Sequence, residues 1–223
     1  MMKLTLAPHQ RIWFTSDTHY KHSNICRGTS NWPEGSKTRD FDTLDHMNDA
    51  IVNNINHLVR EDDVLFHLGD WSFGGYESIE EFRNRLLCKN IHLLLGNHDQ
   101  HIERNKGDIQ KLFSSVNEYL RLELTVPNSP NSINQDSVIK KTLILCHYPI
   151  ASWHDMNRGV IHLHGHVHLG PHNKLHEGKA MDVGMDGNHL NPYSLQEIAQ
   201  IMRDRPVKCL VLPNDHHETN EGR

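Results

Sequence analysis

Five short apolar runs in this chain each end in a small cluster of metal-ligating or proton-carrying side chains. Arg11–Ser16 runs into Asp17-Thr18-His19, and Asp63–Leu68 into Gly69-Asp70. Asn90–Leu95 ends in Gly96-Asn97-His98-Asp99, Val138–Cys146 in His147-Tyr148-Pro149, and Val160–His164 in Gly165-His166-Val167-His168. The donors Asp17, His19, Asp70, Asn97, His147, His166 and His168 offer carboxylate oxygen, amide oxygen and imidazole nitrogen, and no thiolate. That mixture suits first-row divalent ions rather than a structural cysteine-type zinc site. Seven donors exceed the needs of one tetrahedral ion and suit two. Asp17 and His19, two residues apart on an extended segment, point to the same side, as do His166 and His168. Gly69, Gly96 and Gly165 precede donors and permit tight bends there. A pair of ions serves in-line displacement at phosphorus well: a bridging water attacks as hydroxide while the ions offset the developing charge. His98, beside Asn97, can protonate the leaving oxygen as general acid.

The elements that must position these groups are legible in outline. The five apolar runs read as buried strands. Tyr20–Asp40 reads as a long polar loop. Apolar residues at Phe41, Leu44, Met47, Ile51, Ile55 and Leu58 predict an amphipathic helix over Phe41–Leu58, capped by Asp40 or Asp42. Further helices are predicted over Ser78–Leu87, Ile102–Phe113 and Leu195–Met202. Val116–Val126 reads as a single strand and Val207–Leu212 as a last one, with a loop at Pro127–Asp136 and a strand or turn at Ala180–Gly187. Early alternation of strands and helices, followed mostly by strands, indicates an α/β layered fold with a mixed sheet or two packed sheets. Ligands in such folds gather beyond the strand ends. No repeat or linker divides residues 1–212, which read as one domain; residues 213–223 read as a polar, disordered tail.

Composition narrows the function classes. The chain has 223 residues, 36% hydrophobic, with a net charge of -5. That size allows a real core, and the acidic balance argues against stable binding of duplex nucleic acid. No apolar run approaches membrane-helix length. The first eight residues lack a signal-peptide core, which favours the cytosol. Cys26, Cys88, Cys146 and Cys209 form no CxxC pair and read as reduced. The chain carries 20 histidines without any run of them, which excludes a purification tag.

The ordered set D-x-H, G-D, G-N-H-D, H and G-H-x-H resembles the calcineurin-like metallophosphoesterase superfamily, over roughly residues 12–200. Segments such as FTSDTHYKHSNI, FHLGDWSFG, LLLGNHD, CHYPIASWH and RGVIHLHGHVH look like a small bacterial and bacteriophage phosphohydrolase subgroup. The resemblance implies a four-layer α/β/β/α sandwich, two mixed sheets flanked by helices, with the site at the sheet edges. It implies that Asp17, His19 and His168 bind one ion, that Asn97, His147 and His166 bind the other, and that Asp70 bridges them. It places His98 against the phosphate and leaving group. One departure stands out: the protein phosphatase branch carries G-D-x-x-D-R-G, whereas this chain has GDWSFGG, with Phe73 at the second Asp position and no Arg. That removes the usual carboxylate partner of the acid and counts against a phosphoprotein phosphatase. Asp99 is a candidate to orient His98.

The expected function is dimetal-dependent hydrolysis of a small phosphodiester or phosphomonoester, nucleotide-like, with manganese as the expected ion and zinc, iron, nickel or magnesium as alternatives. A nuclease on short single strands is a second reading. A catalytically silent metal-binding scaffold is a third, disfavoured because all eight site positions are filled. Asn97, His98, His22 and Arg158 are candidate substrate-binding residues, the last two each set against a plain structural role. Asp186 is a candidate partner for a metal-bound histidine, and His164 a candidate supporting residue. Trp71 and Trp153 read as core before stacking platforms.

Overall fold

The computed structural model describes residues 1–32, 38–127, 138–170, 172–173, 175 and 178–207. Two five-stranded mixed sheets pack face to face, with helices flanking them. In the first sheet β2 (Ile12–Thr15), β3 (Val64–His67), β4 (Asn90–Leu94) and β5 (Ser115–Asn117) run parallel. β10 (Tyr193–Ser194) pairs antiparallel on the β2 edge. The second sheet has the order β1 (Met2–Thr5), β6 (Tyr119–Pro127), β7 (Val138–Cys146), β8 (Ile161–His164), β9 (Ala180–Asp182); only β6 and β7 are antiparallel.

The strand sequences explain the layering. β2 and β3 are buried on both faces, so each opens with three consecutive apolar residues rather than alternating, and each ends in a buried polar one, Thr15 or His67. Ile12, Phe14, Val64 and Phe66 face the space between the sheets, where Leu122, Leu124, Leu143, Leu145 and Leu163 meet them. Phe14 stacks on Phe66 with ring centroids 5.7 Å apart. Trp13 and Leu65 face the other way, onto α1 (Leu44–Leu58) and α2 (Tyr76–Arg85), which bury Met47, Ile51, Ile55, Ile79 and Phe82. α4 (Leu195–Arg203) closes one side of the inter-sheet core with Ile198 and Met202. The outer face of the second sheet carries a smaller cluster of Ile144, Trp153, Met156 and Ala180.

Several boundaries differ from expectation, for local reasons. α1 is capped by Thr43, whose side chain accepts from the His46 N–H; Asp40 and Asp42 instead pair with Arg27. The helix expected over Ile102–Phe113 is two pieces, α3 (Gln100–Arg104) and a 3-10 turn at Gln110–Leu112. Asn105 breaks it by taking the Asp108 and Gln110 N–H groups on its side-chain and backbone oxygens. The strand expected over Val116–Val126 is split at Glu118: β5 belongs to one sheet and β6 to the other. β1 and β10 were not predicted, being too short and too mixed in pattern. Among the described residues no helix is long and apolar enough to cross a membrane. Residues 128–136 of the expected loop, the expected strand beyond Val207, the 213–223 tail and Cys209 lie outside the described residues; Cys26, Cys88 and Cys146 are free.

Replacing Phe66, fully buried between Phe14 and His92, with Ala is expected to cost about 3–5 kcal/mol of stability. Urea unfolding would show this as a lower midpoint; an unchanged midpoint would contradict the packing.

Candidate metal centre

The parallel strands β2, β3, β4, β7 and β8 all end on one edge of the sandwich, and their following turns carry the donors. The turns are not the extended segments that the sequence reading assumed. Asp17, His19, Asp70, His166 and His168 take positive φ angles of 54°, 47°, 58°, 74° and 52°. Left-handed backbone at a non-glycine residue costs about 1–3 kcal/mol, so each side chain is swung to the centre against a local preference. The turns hold one another in place. Asp17 N–H donates to Gly69 O at 2.9 Å, His19 N–H to Asp70 O at 3.0 Å, and Gly165 N–H to His147 O at 2.9 Å. Gly96 and Gly165 are needed for close approach: a Cβ would lie 2.3 Å from Asp70 Oδ1 at Gly96, and 1.9 Å from Ser16 Oγ at Gly165.

The side chains form two groups. Asp17, His19 and His168 make the first, and Asp70, His147 and His166 the second; within each group one donor atom per residue lies within 4.8 Å of the others. His19 Nε2 is 3.2 Å from His168 Nε2, and Asp17 Oδ1 is 3.6 Å from His168 Nε2 and 3.9 Å from His19 Nε2. Donors on a tetrahedral zinc-sized ion, at ~2.0–2.1 Å from it, stand about 3.3 Å apart, so the first group has the spread of a ligand set. Asn97 Oδ1 is 3.1 Å from His147 Nε2 and joins the second group. Asp70 Oδ2 stands 3.6 Å from both His19 Nε2 and His147 Nε2, so one oxygen faces both groups. His98 Nε2 is 4.0 Å from that oxygen, on a partly exposed ring. The donors are oxygen and nitrogen only, and the residues present fit a divalent metal centre.

The surroundings fix these donors. His147 is fully buried, and its Nδ1 bonds to Leu68 O at 2.7 Å, which leaves Nε2 free to ligate. His168 Nδ1 bonds to Asp186 Oδ2 at 2.6 Å. Arg39 donates to both Asp186 oxygens, at 2.8 and 3.0 Å, and to the carbonyls of Asp17 and Thr18, at 2.6 and 2.7 Å. One guanidinium therefore ties the first turn to the partner of His168. Asp99 does not orient His98. Its buried carboxylate accepts from the N–H groups of Asp70, Trp71 and Gly96, at 2.8, 3.0 and 2.8 Å.

Burial sets the charge balance. It pushes the Asp17 carboxyl up to about 7, His168 and Ser16 opposing and Asp182 and Asp70 adding to it. It pushes Asp99 up to about 6 despite its amide partners. Burial, aided by Arg39 and His168, holds His19 well below the usual histidine range. Burial would also lower His168, but the bond to Asp186 and the charge of Asp17 outweigh it and hold it above its ordinary value. For Asp186, burial is outweighed by Arg39 and His168, which hold it well below the carboxylate range.

The structure thus brings together Asp17, His19, Asp70, Asn97, His98, His147, His166 and His168. His22 is also near: its ring lies 5.3 Å from His19 and stacks on Phe73 at 3.6 Å. Phe73 lies 4.7 Å from the His98 ring, where the protein phosphatase pattern would place a carboxylate. Arg158 is not at the site; it precedes β8, at the end opposite His166, and pairs with Asp155 at 3.7 Å. Trp71 and Trp153 are buried core residues. His164 meets Gly165 O at 3.0 Å, beneath the turn that carries His166. The sequence reading missed Arg39, which sits in a polar loop with no motif around it. It also missed Tyr148, half-exposed with its ring 4.9 Å from His166.

Comparison with known proteins shows the family and the fold. The family described as calcineurin-like phosphoesterase matches residues 10–209. An uncharacterised protein of Methanocaldococcus jannaschii is 24% identical over 200 residues, covering 89% of this chain and 94% of that one. The crystal structure of a protein of unknown function from Aquifex aeolicus superposes with a TM-score of 0.59 at 20% identity, over 86% of this chain and 100% of that one. That likeness bears on the fold alone.

Asp186→Ala is expected to weaken divalent ion binding about 10–100-fold, read by titration calorimetry with Mn²⁺; unchanged affinity would show that the His168–Asp186 bond does not orient a ligand. A second expectation concerns pH. The Asp17 carboxyl is raised in the folded chain from 3.8 to about 7. Its contribution to stability is therefore present below about pH 4 and lost as pH rises toward 7. A divalent ion, which needs the ionised form, offsets that loss. The rise in Tm on adding Mn²⁺ to chelator-treated protein should be larger at pH 7.5 than at pH 5; an equal rise at both would overturn the assignment.

Proposed function

Because the chain belongs to the calcineurin-like phosphoesterase family, we propose that it is a dimetal-dependent phosphoesterase acting on small phosphodiesters or phosphomonoesters. One observation carries the reading. A single carboxylate oxygen, Asp70 Oδ2, stands 3.6 Å from His19 of one donor group and 3.6 Å from His147 of its own, with a partly exposed imidazole beside it. Asp17, His19 and His168 would hold one ion, and Asn97, His147 and His166 the other, with Asp70 between them. Such ions polarise phosphoryl oxygens and make a water nucleophilic near neutral pH; manganese is the ion to supply first.

The chain's own groups do the rest. His98 is anchored through its backbone N–H, which donates to Asp70 Oδ1 at 2.9 Å. Its ring can therefore reach over the site without disturbing the ligand, and Nε2 can pass a proton to the leaving oxygen. Leu68 O and Asp186 fix the tautomers of His147 and His168, so that Nε2 of each faces the centre. His22, stacked on Phe73, walls the side nearest His19. Burial, with His98 and Arg39 adding to it, brings His22 down to about 4, which keeps this wall uncharged at neutral pH.

With Mn²⁺ and bis-p-nitrophenyl phosphate, Asp70→Asn should abolish turnover. His98→Ala should lower kcat about 10²–10⁴-fold while metal analysis still finds both ions. If the His98→Ala protein loses its ions, His98 is a ligand and not the acid. A pure wild type that cleaves no phosphate ester sinks the reading altogether.

A further inference from the structure

The imidazoles of the metal centre are not all held in the same way. His147 Nδ1 bonds to Leu68 O, and His168 Nδ1 to Asp186 Oδ2. His19 Nδ1 is unpartnered, but that ring is buried, with the rings of His22, Phe73, His98 and His168 all within 5.6 Å of it. His166 has neither support. Its backbone is fixed, since its N–H donates to both Asp17 oxygens, at 3.1 and 3.0 Å. Among the described residues, however, no hydrogen bond reaches its ring, and the residue is exposed. A ligating histidine almost always has an outer partner that fixes the orientation of its ring.

What His166 has is Tyr148. The ring centroids of His147, Tyr148 and His166 form a triangle with sides of 5.0, 4.9 and 5.1 Å, and the rings meet edge to face, at 79°, 67° and 67°. Aromatic rings prefer that spacing and that angle. Pro149 follows Tyr148 and disfavours helical backbone there, which narrows the directions the Tyr148 ring can take. The Tyr148 hydroxyl has no hydrogen-bond partner among the described residues, so the contact belongs to the ring. Tyr148 is 43% exposed, so core packing does not account for its place.

We propose that Tyr148 is a positioning residue for the second donor group: its ring, packed against His147 and His166, does for His166 what hydrogen bonds do for His147 and His168. The inference rests on the dimetal reading, in which His166 is a donor to the second ion. Its consequence is selective. Without the Tyr148 ring, His166 gains rotamer freedom that binding must then remove, and the second ion is held less tightly. The group of Asp17, His19 and His168 has no ring contact with Tyr148 and keeps its affinity.

The test titrates chelator-treated full-length protein with Mn²⁺ by calorimetry. Wild type should take up two ions. Tyr148→Ala should weaken one of them about tenfold and leave the other within about twofold. Tyr148→Phe, which keeps the ring, should bind as wild type does. Adding Asp186→Ala to Tyr148→Ala should weaken the other ion as well, because Asp186 steers His168 of the first group. Unchanged affinity for both ions in Tyr148→Ala overturns the proposal. So does equal weakening of both, a Phe variant as weak as the Ala variant, or a double variant in which only one ion is weakened. In each of those cases wild type still binds two ions, and the dimetal reading stands. If wild type takes up fewer than two, that reading falls and the proposal with it.

Discussion

The structure depends on gathering carboxylates and imidazoles at one dry point. Asp17, Asp70, His19 and His147 are nearly inaccessible to solvent, and taking their charged forms out of water is expensive. The cost shows in Asp17, held far above the ordinary carboxylate range, and in His19, held below the histidine range. Groups in that state gain most from a counter-charge brought to them, which is what a divalent cation supplies. Burial here withholds water from these donors, and for Asp17 the nearby His168 and Ser16 only partly offset its cost.

Everything beneath the centre follows from holding that arrangement still. Five donors sit on left-handed backbone that their side chains disfavour, so the surrounding bonds must over-determine the turns. Two buried charged residues do this without belonging to either donor group. Arg39 spans two carbonyls of the first turn and the carboxylate that steers His168. Asp99 gathers three backbone N–H groups from the second and third turns. Both couple segments far apart in sequence, and each fixes the turn that carries a neighbouring donor side chain.

The gathered side chains were legible because they obey a simple rule: apolar run, then polar donor. That rule singles out Asp17, Asp70, Asn97, His147 and His166, since buried strands must be apolar and the chain turns polar where it meets solvent. How the donors converge was not legible. The sequence reading relied on period-two geometry for Asp17 and His19, whereas left-handed turns do the work; backbone sign is set by tertiary hydrogen bonds that no local pattern reports. Arg39 was invisible for the same reason, its role resting on Asp186, 147 positions away. Arg158 drew attention by chemistry alone and lies at the wrong end of its strand. Thr43 displaced Asp40 and Asp42 as the α1 cap because Arg27 had already engaged those carboxylates. Asn105 stopped a helix that hydrophobic spacing favoured, by local side-chain competition.

The single residue Glu118, between β5 and β6, joins strands of opposite sheets. The chain later returns from the second sheet to supply β10 to the first. Each sheet therefore borrows its completion from the other half of the polypeptide: residues 1–117 lack β10, and residues 119–223 lack β1. No cut at that joint yields two self-sufficient pieces, and the donors come from both sides of it. The molecule is bound to assemble and come apart as one cooperative unit, its two halves interlaced like folded hands.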